Sequence, residues 1–228
     1  MRKKLTQLIC IGALSTNINA SVFGGLEIGS GSISPLDGVD SSGVIYLGGF
    51  LKKYIDDPLS SSYVWDLNLR YYGDSNDSKK QANKATYNMS QFSISYLGGY
   101  GFYNETFGMR INSLLGFGFD SAHVEMKEGY KITKDDNLST AFAKAGVVTF
   151  PFMSKNTSVY LQAFYKYYIT SKNKLLEFNT DKKQGVIEGE IGVYYDKISL
   201  KCGIMDSLLS KKQINPYCIF GYGFNFKI

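Results

Sequence analysis

The sequence predicts an all-β protein: a closed antiparallel up-and-down transmembrane β-barrel of ten strands, with short turns at one end and longer loops at the other. Three observations carry this. The final residues place Phe220, Tyr222, Phe224, Phe226 and Ile228 on every second position, with Gly221, Gly223, Asn225 and Lys227 between them. Such a strand in water would be a bare, aggregation-prone edge, whereas in a bilayer an apolar outward face is what lipid requires. The rest of the chain after residue 20 breaks into segments of period two, each about 10 to 15 residues long, near the length of a tilted membrane strand. The links between them alternate in length, as expected for a barrel with short turns on one side of a membrane and longer loops on the other.

Ten segments are read in order. The first covers Val22 to Ile33 and the second Gly43 to Tyr54. The third, Tyr63 to Gly73, sets Tyr63, Trp65, Leu67, Leu69 and Tyr71 against Val64, Asp66, Asn68, Arg70 and Tyr72. The fourth, Ser90 to Tyr103, turns Phe92, Ile94, Tyr96, Tyr100 and Phe102 outward against Gln91, Ser93 and Ser95. The fifth, Phe107 to Asp120, alternates Phe107, Met109, Ile111, Leu115, Phe117 and Phe119 with Gly108, Arg110, Asn112, Gly116, Gly118 and Asp120. Segments six to ten are Thr140 to Phe152, Ser158 to Thr170, Gly185 to Tyr195, Lys197 to Met205 and Pro216 to Ile228. The second and sixth are apolar on both parities, which leaves their facing open. If one and two, or eight and nine, are misread, eight strands is the fallback.

Short links fall at Asn104-Glu105, Met153 to Asn156 and Asp196-Lys197, with a somewhat longer one at Asp56 to Ser62. Longer polar loops are expected at Ser34 to Ser42, Asp74 to Met89, Ser121 to Ser139, Ser171 to Gln184 and Asp206 to Asn215. Pro35 and Pro58 fall in links and Pro151 and Pro216 at strand ends, where no ladder hydrogen bond is lost. A soluble β-sandwich or lipocalin-like barrel would instead bury its aromatics and expose its charges.

Composition agrees. The chain holds 18 Tyr, 15 Phe and 24 Gly at a mean hydropathy of only −0.14, which is what alternation of a lipid face with a polar face produces. After residue 20 no apolar run is long enough for a spanning helix, which needs about 20 residues. Arg2, Lys3 and Lys4, the mostly apolar run Leu5 to Leu14, and Ile18-Asn19-Ala20 read as a signal peptide over residues 1–20, cut before Ser21. Cys10 would leave with it. Residues 21–228 then form one barrel domain, and the formal charge falls from +5 to +2, which gives nucleic-acid binding little electrostatic support.

The spacing of Tyr222, Gly223, Phe226 and Ile228 resembles the C-terminal insertion signal of bacterial outer-membrane β-barrels, with Ile in place of the usual terminal Phe or Trp. With the alternation it makes the chain similar to small outer-membrane barrels of the OmpA-like or porin-like type. The resemblance implies export through the periplasm, insertion by the barrel-assembly machinery, and residence in outer-membrane lipid and lipopolysaccharide of a Gram-negative cell. It also implies a structural, adhesive or surface-exposed role.

Glu27, Asp66, Arg70, Arg110, Asp120, Gln162, Lys166, Glu188 and Glu190 share the parity opposite the aromatic face. Arg or Lys on a lipid face costs about 2–4 kcal/mol at the midplane, which explains their confinement to the lumen. With both signs present, ion pairs between opposite strands are expected. The charges line either a narrow porin-like channel for small solutes or a polar filling that closes the barrel. Barrels of about 8 strands have interiors that side chains can fill, and Tyr72, Tyr160, Phe164 and Tyr168 add bulk, so the filled lumen is the expectation.

Cys202 and Cys218 lie equally far from Ser210, on the outward parity of Leu200 and Phe220. In the simplest hairpin register they face each other, and an oxidising periplasm permits a disulfide. The other reading is two unpaired apolar residues, since a one-residue slip separates them.

No catalytic, cofactor or metal site is expected. His123 is the only histidine, placed in a loop with Asp120, Ser121 and Glu125. Neighbouring same-face residues on one strand do not give the convergent geometry of a Ser-His-acid hydrolase, so that reading is the weakest carried forward. Gly98-Gly99-Tyr100-Gly101 and Gly116-Phe117-Gly118 lack the helix and lysine of a phosphate loop. Lysines gather in the long loops at Lys79, Lys80, Lys84, Lys127, Lys131, Lys134, Lys172, Lys174, Lys182, Lys183, Lys211 and Lys212, mixed with acids. They form either a solvated crown or a basic surface for lipopolysaccharide phosphates or a host ligand.

Overall fold

The computed structural model describes residues 21–33, 42–53, 61–74, 78–80, 85–128, 131–154, 156–179, 182–210 and 215–227. The expected signal segment, together with Pro35, Pro58, Lys84, Lys211, Lys212 and Ile228, lies outside the described residues. Ten strands build the barrel: β1 (Ser21–Ile33), β2 (Ser42–Lys53), β3 (Ser62–Asp74), β4 (Ala85–Asn104), β5 (Met109–Glu128), β6 (Lys131–Met153), β7 (Thr157–Tyr168), β8 (Gly185–Tyr195), β9 (Ile198–Met205) and β10 (Asn215–Lys227). Each pairs antiparallel with its sequence neighbours, and β1 pairs with β10 from Ser21 opposite Lys227 to Gly31 opposite Tyr217. That last ladder closes the sheet and removes the edges the first and last strands would otherwise present. A three-residue strand, Ser78–Lys80, pairs with the upper end of β4 outside the ring.

The pleat sorts side chains by chemistry. On β1, Leu26 and Ile28 are 72% and 57% exposed while Glu27 between them is 6% exposed. Leu115, Phe117 and Phe119 of β5, Tyr165 and Tyr167 of β7 and Phe220, Tyr222 and Phe224 of β10 continue the outer apolar surface. A continuous exposed apolar belt of this size far exceeds what a water-facing monomer carries. The pairing register also settles the two strands whose facing the sequence left open. Val44, Tyr46, Phe50 and Lys52 of β2 point inward, as do Phe142, Val148 and Phe150 of β6.

Local chemistry sets the lower turns. The two-residue link Asp196-Lys197 requires a left-handed residue, supplied by Asp196 at φ 51°. At the β4–β5 turn the Phe107 amide donates to Asn104 Oδ1 at 3.1 Å, and Gly108 takes φ 61°. Pro151 sits within the register shift between Thr149 and Phe152, where the ladder is already interrupted. Sharp coiling between β4 and β5 brings backbones so close that a Cβ on Gly116 would stand 1.9 Å from the Tyr96 carbonyl oxygen.

Three expected loops are otherwise. The segment Ser121 to Ser139 is almost entirely strand: β5 runs to Glu128 and β6 starts at Lys131. The alternation persists there but inverts, with Ala122, Val124 and Leu138 buried inside and Ser121, His123, Asn137 and Ser139 outside. A strand identified by outward aromatics is therefore cut short where the outer medium turns polar. Likewise β4 starts at Ala85 rather than Ser90. Within the expected loop Ser171 to Gln184 lies α1 (Lys172–Phe178), with Ser171 as N-cap accepting from the Lys174 amide and Leu175 and Phe178 buried on one side.

Candidate functional site

The barrel interior is layered. Nearest the short turns, Val64, Leu97, Leu114, Val148, Phe150, Tyr160 and Phe164 form an apolar cluster, with Met153 and Tyr194 packed against it. Tyr160 stacks on Tyr194 at 5.1 Å between ring centroids. Toward the long loops, a second cluster includes Tyr46, Tyr72, Met89, Val124, Phe142 and Tyr168. Charged side chains fill the level between them.

Strands two apart lie roughly 9.5 Å apart around the wall, twice the strand spacing, a gap that a long cation and a carboxylate bridge together. Lys201 of β9 thus reaches Glu27 of β1 at 2.5 Å, Lys166 of β7 reaches Asp120 of β5 at 2.5 Å, and Lys144 of β6 reaches Glu188 of β8 at 2.6 Å. Lys52 pairs with Asp66 on the adjacent strand at 3.2 Å. Arg70 and Glu190 alone among these pairs join opposite walls, at 3.7 Å. Glu190 also accepts from Tyr160 Oη at 2.6 Å, Gln162 Nε2 at 2.8 Å and Tyr217 Oη. Arg110 lies below this level, 1% exposed, with its Nε donating to Asn112 Oδ1 at 3.1 Å. Gly101 makes room for it, since a Cβ there would stand 2.5 Å from Arg110 Nη2.

Sequence reasoning missed Lys52, Lys144 and Lys201 from this set. Lys52 and Lys144 sit on the two strands with no readable facing, whereas Lys201 alternates with Leu200 and Cys202 and was legible.

Above the charges, the chain after β9 turns inward and caps the lumen. Asp206, Ser207, Leu208, Leu209 and Ser210 are all buried. Gln91 Oε1 accepts from the Leu208 amide at 2.9 Å and the Ser207 hydroxyl at 3.0 Å. Asn179, at the end of α1, donates to the Ser210 carbonyl at 2.9 Å. Asp206 accepts from Tyr168 Oη at 2.5 Å and from Lys182 Nζ, which also donates to the Ser207 carbonyl. Lys182, expected in the solvated crown, is thus a buried strut; burial lowers its pKa below that of an ordinary lysine although Asp206 favours the charge. Nothing in the local sequence marks 206–210 as a cap apart from Leu208-Leu209, an apolar pair where a polar loop was expected. Beneath it, residues including Arg70, Ser93, Lys144, Gln162 and Glu188 border a cavity of about 40 Å³, room for a few waters.

Cys202 and Cys218 are directly opposed on β9 and β10 and joined by a disulfide on the outer wall. Of the terminal residues, Tyr222 pairs with Leu26, Gly223 with Gly25 and Phe226 with Val22. His123 is on β5 rather than in a loop; its Nδ1 lies 2.9 Å from Asn137 Oδ1 and 3.6 Å from Asp135. Ser121 bonds Ser139 and Glu125 pairs with Lys127, while Asp120 points to the opposite face, so Ser121, His123 and Glu125 share a face without converging. Among the described residues no cluster of three or more His, Cys, Asp or Glu is placed to hold a metal.

No protein-family model matches the sequence, and no curated protein does. Similar solved structures include a major outer membrane protein from Thermus thermophilus, at 9% identity over 90% of this chain and 99% of that one, with a TM-score of 0.45. The translocator domain of the autotransporter NalP from Neisseria meningitidis is 10% identical over 99% and 95%, with a TM-score of 0.43. The transport unit of the autotransporter AIDA-I from Escherichia coli is 12% identical over 96% and 95%, with a TM-score of 0.41.

Proposed function

We propose that this chain is an integral protein of the bacterial outer membrane whose lumen is closed and whose role is structural or surface-interacting rather than enzymatic. The observation that carries the reading is the inside-out distribution of side chains in a closed barrel. Leu26 and Leu115 face outward, while Glu27 and Asp120 meet their partners inside. Only hydrocarbon makes that exterior favourable, and only closure satisfies the backbone within it. Residues 1–20 act as the export signal, the barrel-assembly machinery inserts residues 21–228, and lipopolysaccharide surrounds the upper rim.

Closure of the lumen is supported at two levels, the apolar layer around Phe150 and Tyr160 and the cap at 206–210. A narrow channel is the second reading, favoured by the charged cavity between them. Migration of unboiled against boiled protein on a gel, with fractionation of the cell envelope, tests location. A band that does not shift, or mature protein in the soluble periplasmic fraction, defeats the membrane reading; steady ohmic steps in a planar bilayer defeat the closed lumen.

A further inference from the structure

The outer wall is dented where β10, β1, β2 and β3 adjoin. Across the register, one row of outward positions is Phe224, Gly24, Leu51 and Leu67, and the row above it is Tyr222, Leu26, Gly49 and Leu69. Gly24 and Gly49 lie on one diagonal of this lattice, Leu26 and Leu51 on the other. Between the two leucines runs a trough of about 300 Å³, lined throughout by glycine, leucine and phenylalanine. That is the lower end of the range of ligand-sized clefts, about 300–1,000 Å³. At Gly49 a Cβ would meet nothing nearer than 3.5 Å, and the one side-chain atom close by is Leu26 Cδ2 at 3.9 Å. Leu26, with a glycine beside it on two sides of the lattice, is the most exposed large apolar residue among those described, at 72%.

The row below the trough holds Lys53 opposite Trp65, both on the outward parity. A lysine on that face is tolerated only near the headgroups, and tryptophan gathers at the same level. The row above the trough is Ile28, Leu47 and Tyr71, still apolar. The trough therefore opens into hydrocarbon directly above the headgroups on the short-turn side, which in outer-membrane barrels is the periplasmic side. We propose that it holds one acyl chain of a phospholipid of the periplasmic leaflet, as a fixed rather than freely exchanging neighbour of the barrel. The inference rests on the membrane reading above and adds the site to it. A slender chain passes between Leu26 and Leu51 and gains dispersion contacts on its floor and both flanks. The wall of a second barrel is held off the glycines by those two leucines, and two convex walls touching along a line bury less than a stable interface needs. Lipopolysaccharide surrounds the opposite rim, so the chain belongs to a phospholipid.

Trp65, the one tryptophan of the chain, stands in the row directly below and reports on the site. The test uses the whole protein in detergent micelles, titrated with phosphatidylethanolamine brominated along its chains, and follows quenching of Trp65 fluorescence. Saturable quenching is expected, with its plateau near one lipid per barrel, and Gly49→Leu, whose side chain enters the trough, should weaken it at least tenfold. Leu26→Ala removes a flank at an exposed position and should weaken it at least threefold, while Ile187→Ala, at an outward position on β8 away from the trough, should leave it within twofold. The proposal is overturned if quenching rises without saturation and equally in Gly49→Leu, since lipid then only bathes the wall. It is overturned too if excess lipopolysaccharide reverses the quenching where unbrominated phosphatidylethanolamine does not, or if the protein dimerises and Gly49→Leu abolishes the dimer. A barrel that shifts on the gel and fractionates with the membrane, yet shows no saturation, defeats this inference alone; mature protein in the soluble fraction defeats the membrane reading beneath it.

Discussion

Arg70 and Glu190 stand on strands five places apart in either direction around the ring, and their charged groups nonetheless meet at 3.7 Å. The pair ties the two halves of the wall together across the lumen, and Glu190 is the acceptor on which Tyr160, Gln162 and Tyr217 also converge.

Removing the carboxylate leaves a guanidinium and three donors without their acceptor inside the barrel. Glu190→Leu is expected to cost about 3–5 kcal/mol, the usual penalty for breaking a buried pair from one side. Arg70→Met together with Glu190→Leu should recover much of that loss, because the uncompensated charge goes too. Urea unfolding of refolded protein in lipid vesicles, followed through the fluorescence of Trp65, measures both.

The two closures act in series, so neither alone should admit current. Replacing residues 206–210 by glycine and serine, or making Tyr160→Ala with Phe150→Ala, is expected to leave planar bilayers silent. Combining the two sets should give discrete conductance steps. Current from the cap replacement alone would show that the lower layer is not a barrier.

The disulfide between Cys202 and Cys218 spans a separation of 16 residues, enclosing the segment that forms the cap. Chain-entropy arguments assign about 3 kcal/mol to a loop of about this size. Cys202→Ser with Cys218→Ser should therefore unfold at lower urea by up to roughly that amount. In the unaltered protein, denatured without reductant, a maleimide reagent should leave both positions unlabelled; full labelling would show that the thiols are free.

Gly116 is fixed by space rather than by torsion. A Cβ there would lie 1.9 Å from the Tyr96 carbonyl oxygen and 2.8 Å from Leu97 Cα, so Gly116→Val must force β4 and β5 apart. A loss of at least about 2 kcal/mol or failure to form the gel-shifted species is expected, as for other overpacked sites. Gly49→Ala, where the first atom met is 3.5 Å away, should change the unfolding midpoint little.

Much of the architecture was legible in the residues. Strong alternation on β4 and β5 fixed their facing, whereas the spacing of Cys202 and Cys218 about Ser210 left a facing pair and a one-residue slip both open, and the β9–β10 register sets them opposite each other. Lumen parity of Glu27, Asp66, Arg70, Asp120, Lys166, Glu188 and Glu190 followed from the same periodicity. It failed where both faces are apolar, on β2 and β6, and so concealed Lys52 and Lys144. It failed also above the apolar belt, where water replaces hydrocarbon and the inside becomes the greasier side, so that Ala122, Val124 and Leu138 read as loop.

The sequence by itself determined that these strands close into a cylinder with an apolar exterior, because a pleat of period two can meet two media only by alternating. Tertiary structure decided who meets whom inside. Arg70 finds Glu190, Lys182 finds Asp206 and Gln91 holds Leu208 because curvature and closure bring distant parts of the chain within a few ångströms, and no local periodicity records that distance.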